Sequence, residues 1–124
     1  MKILYIGIGG FLGAITRYGV SGFVYRVFGK TWFPYGTLTV NIVGCFLIGF
    51  LSGLSENRQL FTPEIRVLVF IGFLGSFTTF STFGYESYNL LRDGQIAASL
   101  INVILQILIG FSAVWLGYSL PKMF

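Results

Sequence analysis

GFLGSFTTFSTFGYE, residues 72–86, lies inside an apolar stretch long enough to cross a membrane, yet it holds the hydroxyls of Ser76, Thr78, Thr79, Ser81 and Thr82. Phe77, Phe80 and Phe83 interleave with them, and Gly72 and Gly75 stand at the front edge. Hydroxyls at these positions cannot share one face of a helix. A continuous helix would turn some of them towards lipid. A helix that breaks at mid-membrane and lines a polar path uses them, because irregular backbone at that depth is tolerated where it borders protein or a cavity.

The rest of the chain has membrane composition. Of 124 residues, 55% are hydrophobic and 10% charged, and the mean hydropathy is +0.82. A soluble domain carries about 25% charged residues. One crossing needs about 20 apolar residues, and stretches at about 3–28, 33–55, 64–91 and 95–120 supply them. The expectation is an all-α protein, one transmembrane domain over 1–124, with multi-pass insertion in the cell (inner) membrane and the third helix broken. Trp32 to Gly36 reads as a turn with interfacial aromatics, Pro63 as the start of span three, and Arg92-Asp93-Gly94 as the last connection.

Lys2 ahead of an apolar run resembles a signal peptide, but Arg17 interrupts that run and cleavage would leave three spans. There is no histidine, which removes imidazole-based metal or acid–base chemistry, and the lone Cys45 reads as a small packing residue. The net charge of +4 fits helix-end Lys and Arg meeting anionic headgroups; no nucleic-acid partner is expected.

With an even number of spans, Lys2, Arg58, Arg66 and Lys122 fall on one side, and Arg26, Lys30 and Arg92 on the other. So small a bias sets no firm orientation. Either the chain has one weakly biased topology or its copies insert both ways. Gly9 and Gly13, and Gly49 and Gly53, form GxxxG pairs that let helices approach closely, within a subunit or between subunits. Together with the small size they point to an oligomer, most simply a dimer.

Polar groups inside the spans are candidates for function. Asn41 either bonds across helices or offers donors to a path. Asn102 and Gln106, four apart, share a helical face and are expected to edge a wet path. Glu86 is either a water-exposed helix end or a pore mouth. Arg17, far from both ends of its span, is expected at a vestibule or a helix C-terminus inside the assembly. Phe80 and Phe83 share a face. Their electropositive edges, with hydroxyl and amide donors, make a site for a small anion, unless the rings are lipid-facing bulk. Carbonyls freed by a break suit a hard cation such as Na⁺.

These residues resemble the CrcB/Fluc fluoride channels over the whole chain. GGFLGAITR, ending at Arg17, looks like the family's opening segment. Gly36-Thr37-Leu38-Thr39-Val40-Asn41 is similar to its GTLxVN motif, and 72–83 is similar to its long GxxGxxTTFSTF signature. The resemblance implies an antiparallel, dual-topology homodimer with two fluoride pores and passive export of fluoride that has entered the cytoplasm as neutral hydrogen fluoride. It implies Phe80 and Phe83 along the pores, Asn41 as a donor, Ser81 and Thr82 near the path, and Glu86 towards a mouth. Carbonyls of Gly75 and Thr78 would hold a structural Na⁺. Asn102 and Gln106 fall on a polar track that varies within the family.

Two other classes compete. A small dual-topology proton-coupled cation exporter has the same size, but it needs a carboxylate in its first span, where this chain has Arg17. A structural subunit of a larger complex would have no path of its own. No nucleophile, acid–base pair or ATP site is evident, so the chain is expected to be no enzyme and its transport passive.

Overall fold

The computed structural model describes residues 1–29 and 33–123. Lys30, counted above in the charge balance, and Trp32 of the first turn lie outside them. Every regular element among the described residues is helical, and four helical stretches are long and apolar enough to cross a membrane: Lys2–Phe28, Tyr35–Arg58, Pro63–Arg92 and Ile96–Met123.

The first two helices are α1 (Lys2–Phe28) and α2 (Tyr35–Arg58). The third stretch is composite. Its first half, α3, runs over 63–77 as an α-helical turn Pro63–Arg66, a wider π-helical segment Val67–Leu74 and a last turn Gly75–Phe77. Its second half is α4 (Phe80–Arg92), and α5 (Ile96–Ser119) ends in a 3₁₀ turn, Leu120–Met123. Pro63 does open α3: its missing N–H costs nothing there, and the Thr62 hydroxyl caps the turn by accepting from Ile65 N–H at 3.3 Å. Gly94, at φ 84°, turns the chain from α4 into α5 in a conformation a side chain would disfavour.

Packing follows the small residues. α2 lies along α5, and α1 lies along the π-helical part of α3. A Cβ on Gly9 would overlap the Leu68 carbonyl, and one on Gly72 would come within 2.8 Å of the Ile6 carbonyl. Gly13 meets Phe73 O and Ser76 Oγ; Gly49 meets the Val114 backbone, and Gly53 the Tyr118 carbonyl. Both GxxxG pairs are therefore used inside one subunit. Among lipids, where apolar burial gives little drive, such contact is gained by dispersion at short range. The oligomer expected from these glycines has to rest on other features.

The break between α3 and α4 is at Thr78 and Thr79, whose backbones are extended (φ/ψ −85°/157° and −148°/121°). Thr78 N–H still closes the last turn of α3 on Leu74 O at 3.1 Å. Thr79 then caps α4, its hydroxyl accepting from Thr82 N–H at 3.2 Å.

Candidate functional site: the break in the third span

The break is held by one side chain from α2. Asn41 Oδ1 accepts from Thr79 N–H at 2.9 Å, and Asn41 Nδ2 donates to Thr79 O at 3.0 Å. The Thr79 N–H has no helical acceptor, and unpaired backbone in an apolar interior costs several kcal/mol. A primary amide carries a donor and an acceptor side by side, so it can serve both groups of one residue. The second N–H of Asn41 donates to Gln106 Oε1 on α5 at 3.1 Å. Both of its hydrogens are thus engaged within the protein. Of the two readings left open from sequence, cross-helix bonding is the one this geometry displays.

Breaking the helix frees carbonyls. In an unbroken helix Thr79 N–H would donate to Gly75 O and Thr82 N–H to Thr78 O. Here they go to Asn41 Oδ1 and Thr79 Oγ1. Gly75 and Thr78 also border the main cavity beside the break, of about 420 Å³. That cavity is lined by Asn41, Phe80, Phe83 and Gln106 as well, and no charged side chain is among the described residues that line it. The rings of Phe80 and Phe83 meet edge to face, with centroids 5.6 Å apart. Phe80 is 82% exposed on the single chain.

A second cavity, about 330 Å³, lies on the other side of Thr79 and is lined by Arg17, Tyr18, Ser21, Thr37, Thr79 and Thr82. Thr79 borders both, so the two cavities meet at the break. The Thr79 hydroxyl donates to Thr82 Oγ1 at 3.1 Å, and Ser81 Oγ lies 3.4 Å away. Ser81 and Thr82 are both exposed. Arg17 therefore faces a cavity rich in hydroxyls. The Ser76 hydroxyl turns away from both cavities, donating to Gly10 O at 2.9 Å and tying α3 to α1.

The remaining candidates lie further along. Glu86 is half-buried beside Thr37, and its Oε1 has no hydrogen-bond partner. Asn102 is fully buried and borders neither cavity. Its Nδ2 donates to Ser87 Oγ at 2.9 Å, while Ser99 Oγ donates to Ser87 O at 2.8 Å. Asn102 and Gln106 were expected to edge one wet path together. One turn apart, they meet different neighbours: Asn102 bonds to Ser87 on α4, and Gln106 bonds to Asn41 on α2 and borders the main cavity. Two participants were missed from sequence: Cys45, which borders the main cavity, and Thr37, which stands beside Glu86. Four residues separate Thr37 from Asn41, which puts both on one face of α2 and could have flagged Thr37.

The family model described as "CrcB-like protein, Camphor Resistance (CrcB)" matches residues 4–118. A protein of Geotalea daltonii named "Fluoride-specific ion channel FluC" is 47% identical over 120 residues, covering 97% of this chain and 96% of the relative. A "Fluoride-specific ion channel FluC 1" of Methanosarcina acetivorans is 50% identical over 115 residues, covering 93% of this chain and 86% of the relative. These names describe transport, not catalysis. With its membrane-length helices, the chain is a multi-pass membrane protein that belongs to the CrcB family.

Proposed function

We propose that this chain is a passive, fluoride-selective channel that lets fluoride leave the cytoplasm, and that it works as an antiparallel, dual-topology homodimer with two pores. The observation that carries the reading is the main cavity at the break, lined by Phe80, Phe83 and the amide residues Asn41 and Gln106, with no charged side chain among the described residues that line it. The names of the relatives supply the ion.

The chemistry is that of a small, strongly hydrated anion. Stripping its water is favourable only where close donors replace it. In this reading fluoride enters past Arg17 and the hydroxyls of Ser81 and Thr82, crosses at Thr79, and meets the positive edges of Phe80 and Phe83. Glu86 stands towards a mouth of the path and Asn102 on a polar track of α5; their unpartnered oxygens are acceptors and give fluoride no donor. Chloride is larger, and a narrow gap between rings and amides rejects it. The break then lies at mid-membrane.

A second copy answers the exposure of the break. Gly75, Ser81 and Thr82 are exposed on a single chain, where lipid could satisfy none of their polar groups. The chemistry of these groups fits a Na⁺ ion, a hard cation that takes carbonyl oxygens. Two carbonyls from one chain are too few ligands, and two from each of two copies around a shared axis make a closed set. Gly75 and Thr78 would hold it, and the ion would tie the copies together without being transported.

Purified protein in liposomes tests the reading. Fluoride efflux without a proton gradient, and little chloride efflux, is the expected result. Proton-coupled cation movement would instead indicate an exporter, and no flux a structural subunit.

A further inference from the structure

We infer that the π-helical segment Val67–Leu74 is a one-residue insertion in an otherwise α-helical half-span, that Ile71 is the surplus residue, and that the wide turn positions the break in the third span. The inference rests on packing geometry and is independent of which ion is carried.

Ordinary α-helical bonds bracket the segment. Val67 N–H donates to Pro63 O at its start, and Thr78 N–H donates to Leu74 O beyond its end. Between them the helix is wound wider, with i→i+5 bonding. Two rows run along this half-span, each with a residue at every fourth position. Leu68, Gly72 and Ser76 face α1: the Leu68 carbonyl and Gly72 pack on Gly9, and Ser76 Oγ donates to Gly10 O at 2.9 Å. Phe70, Leu74 and Thr78 line the main cavity on another side. A four-residue spacing overshoots one α-helical turn by about 40°, so each row would wander about 80° around an α-helix before reaching Ser76 or Thr78. A π turn holds more residues, and most of that drift disappears. The wide segment thus keeps the same two faces from Leu68 to Thr78, where the break begins.

Removing one residue gives the same alignment in a plain α-helix. Without residue 71, the steps Leu68 to Gly72 and Phe70 to Leu74 become three-residue spacings, about 60° short of a turn, and the next steps to Ser76 and Thr78 overshoot by about 40°. Three plus four is a heptad, whose ends differ by only about 20°. Both rows therefore close again. Ile71 is the residue that can be spared. It is the only exposed position in 67–74, and it does not line the main cavity. The close contacts with Gly9 of α1 are made by Leu68, Gly72 and Phe73.

Variants of chain length test this, in liposomes and by melting in detergent. Deletion of Ile71 is expected to give protein that elutes like the parent and passes fluoride within about threefold of it. Two controls change the length where nothing is surplus. Ile104 is exposed like Ile71 but sits in the regular helix α5, and its deletion turns the two halves of α5 by about 100° against each other. Insertion of an alanine after Ile71 gives α3 a second surplus residue. Each control is expected to lower fluoride efflux about tenfold or more and to lower the melting temperature. A packing readout separate from transport comes from Gly9→Val. It should lower the melting temperature of the Ile71-deleted protein as much as the parent's, because Leu68 and Gly72 still meet Gly9. If deletion of Ile71 is as damaging as deletion of Ile104, the segment holds no surplus residue and the inference is overturned. It is also overturned if the alanine insertion is tolerated, or if Gly9→Val becomes harmless in the shortened protein. An unaltered protein that passes no fluoride overturns the functional reading instead, and the melting comparisons still decide this one.

Discussion

Asn41 and Thr79 form a closed two-bond pair between α2 and the break in the third span, with N···O distances of 2.9 and 3.0 Å. One side chain thus replaces the lost helical acceptor of Thr79 N–H and adds a donor to its carbonyl. Asn41→Asp keeps the acceptor for Thr79 N–H but sets a carboxylate oxygen against Thr79 O and Gln106 Oε1. A buried group left without its partner costs about 1–3 kcal/mol. The variant is expected to melt at lower temperature in detergent and to lose fluoride flux in liposomes. A melting curve and a flux equal to the parent's would show that the break is held by something else.

Phe80 and Phe83 are expected to act through their edges. Phe80→Ile and Phe83→Ile keep apolar bulk but remove the electropositive rim. A lost contact of about 1.4 kcal/mol corresponds to a tenfold effect, which is the scale expected for the fall in fluoride efflux from each variant. Both proteins should still elute like the parent, because neither ring is fully buried. Parental conduction by both would return the rings to a packing role.

The glycines make a packing prediction that is separate from transport. A side chain at Gly9 would meet the Leu68 carbonyl, and one at Gly49 the Val114 backbone, and neither backbone can turn away as a side chain could. Overpacking of this kind costs about 1–3 kcal/mol. Gly9→Val and Gly49→Val should therefore lower thermal stability, while Gly7→Ala, with nothing within 4 Å of its added carbon, should not. Should Gly7→Ala prove as damaging as Gly9→Val, α1 must carry a further contact beyond the single chain.

Parts of this arrangement were legible in the residues and parts were not. The helical class and the membrane spans follow from long apolar runs, because few other folds tolerate them. The hydroxyl-rich segment 72–86 announced an irregular helix, but not which peptide breaks. That depends on Asn41, some forty positions earlier, reaching Thr79. The π-helical segment Val67–Leu74 was invisible, since VLVFIGFL has nothing to distinguish it from an ordinary apolar helix. Asn102 and Gln106 carry the same chemistry at helical spacing, and only their tertiary partners, Ser87 on α4 for one and Asn41 on α2 for the other, separate their surroundings.

Dual topology is expected because Lys and Arg are divided so evenly between the two sides. Tags at both termini, probed from each face of the membrane, should label two populations. Adding two lysines in the 56–62 connection should shift the mixture towards one orientation. An unmodified chain labelled from one face only would end the antiparallel arrangement.

The Na⁺ reading makes a distinction that side-chain variants can check. Thr78 could bind an ion through its hydroxyl or through its carbonyl. Its Oγ1 already donates to Leu74 O at 3.0 Å, while its carbonyl has lost its helical donor. The carbonyl is therefore the available ligand, and it survives substitution of the side chain. Thr78→Val keeps the methyl that faces Gly44 and removes only the hydroxyl. Replacing Na⁺ by a large organic cation should reduce fluoride flux and loosen the dimer in the parent, and Thr78→Val should show the same Na⁺ dependence. If Thr78→Val abolishes that dependence, the ligand is the hydroxyl. Full flux in rigorously Na⁺-free medium, with no other ion able to take its place, would mean that the freed carbonyls of Gly75 and Thr78 are met by water or protein instead.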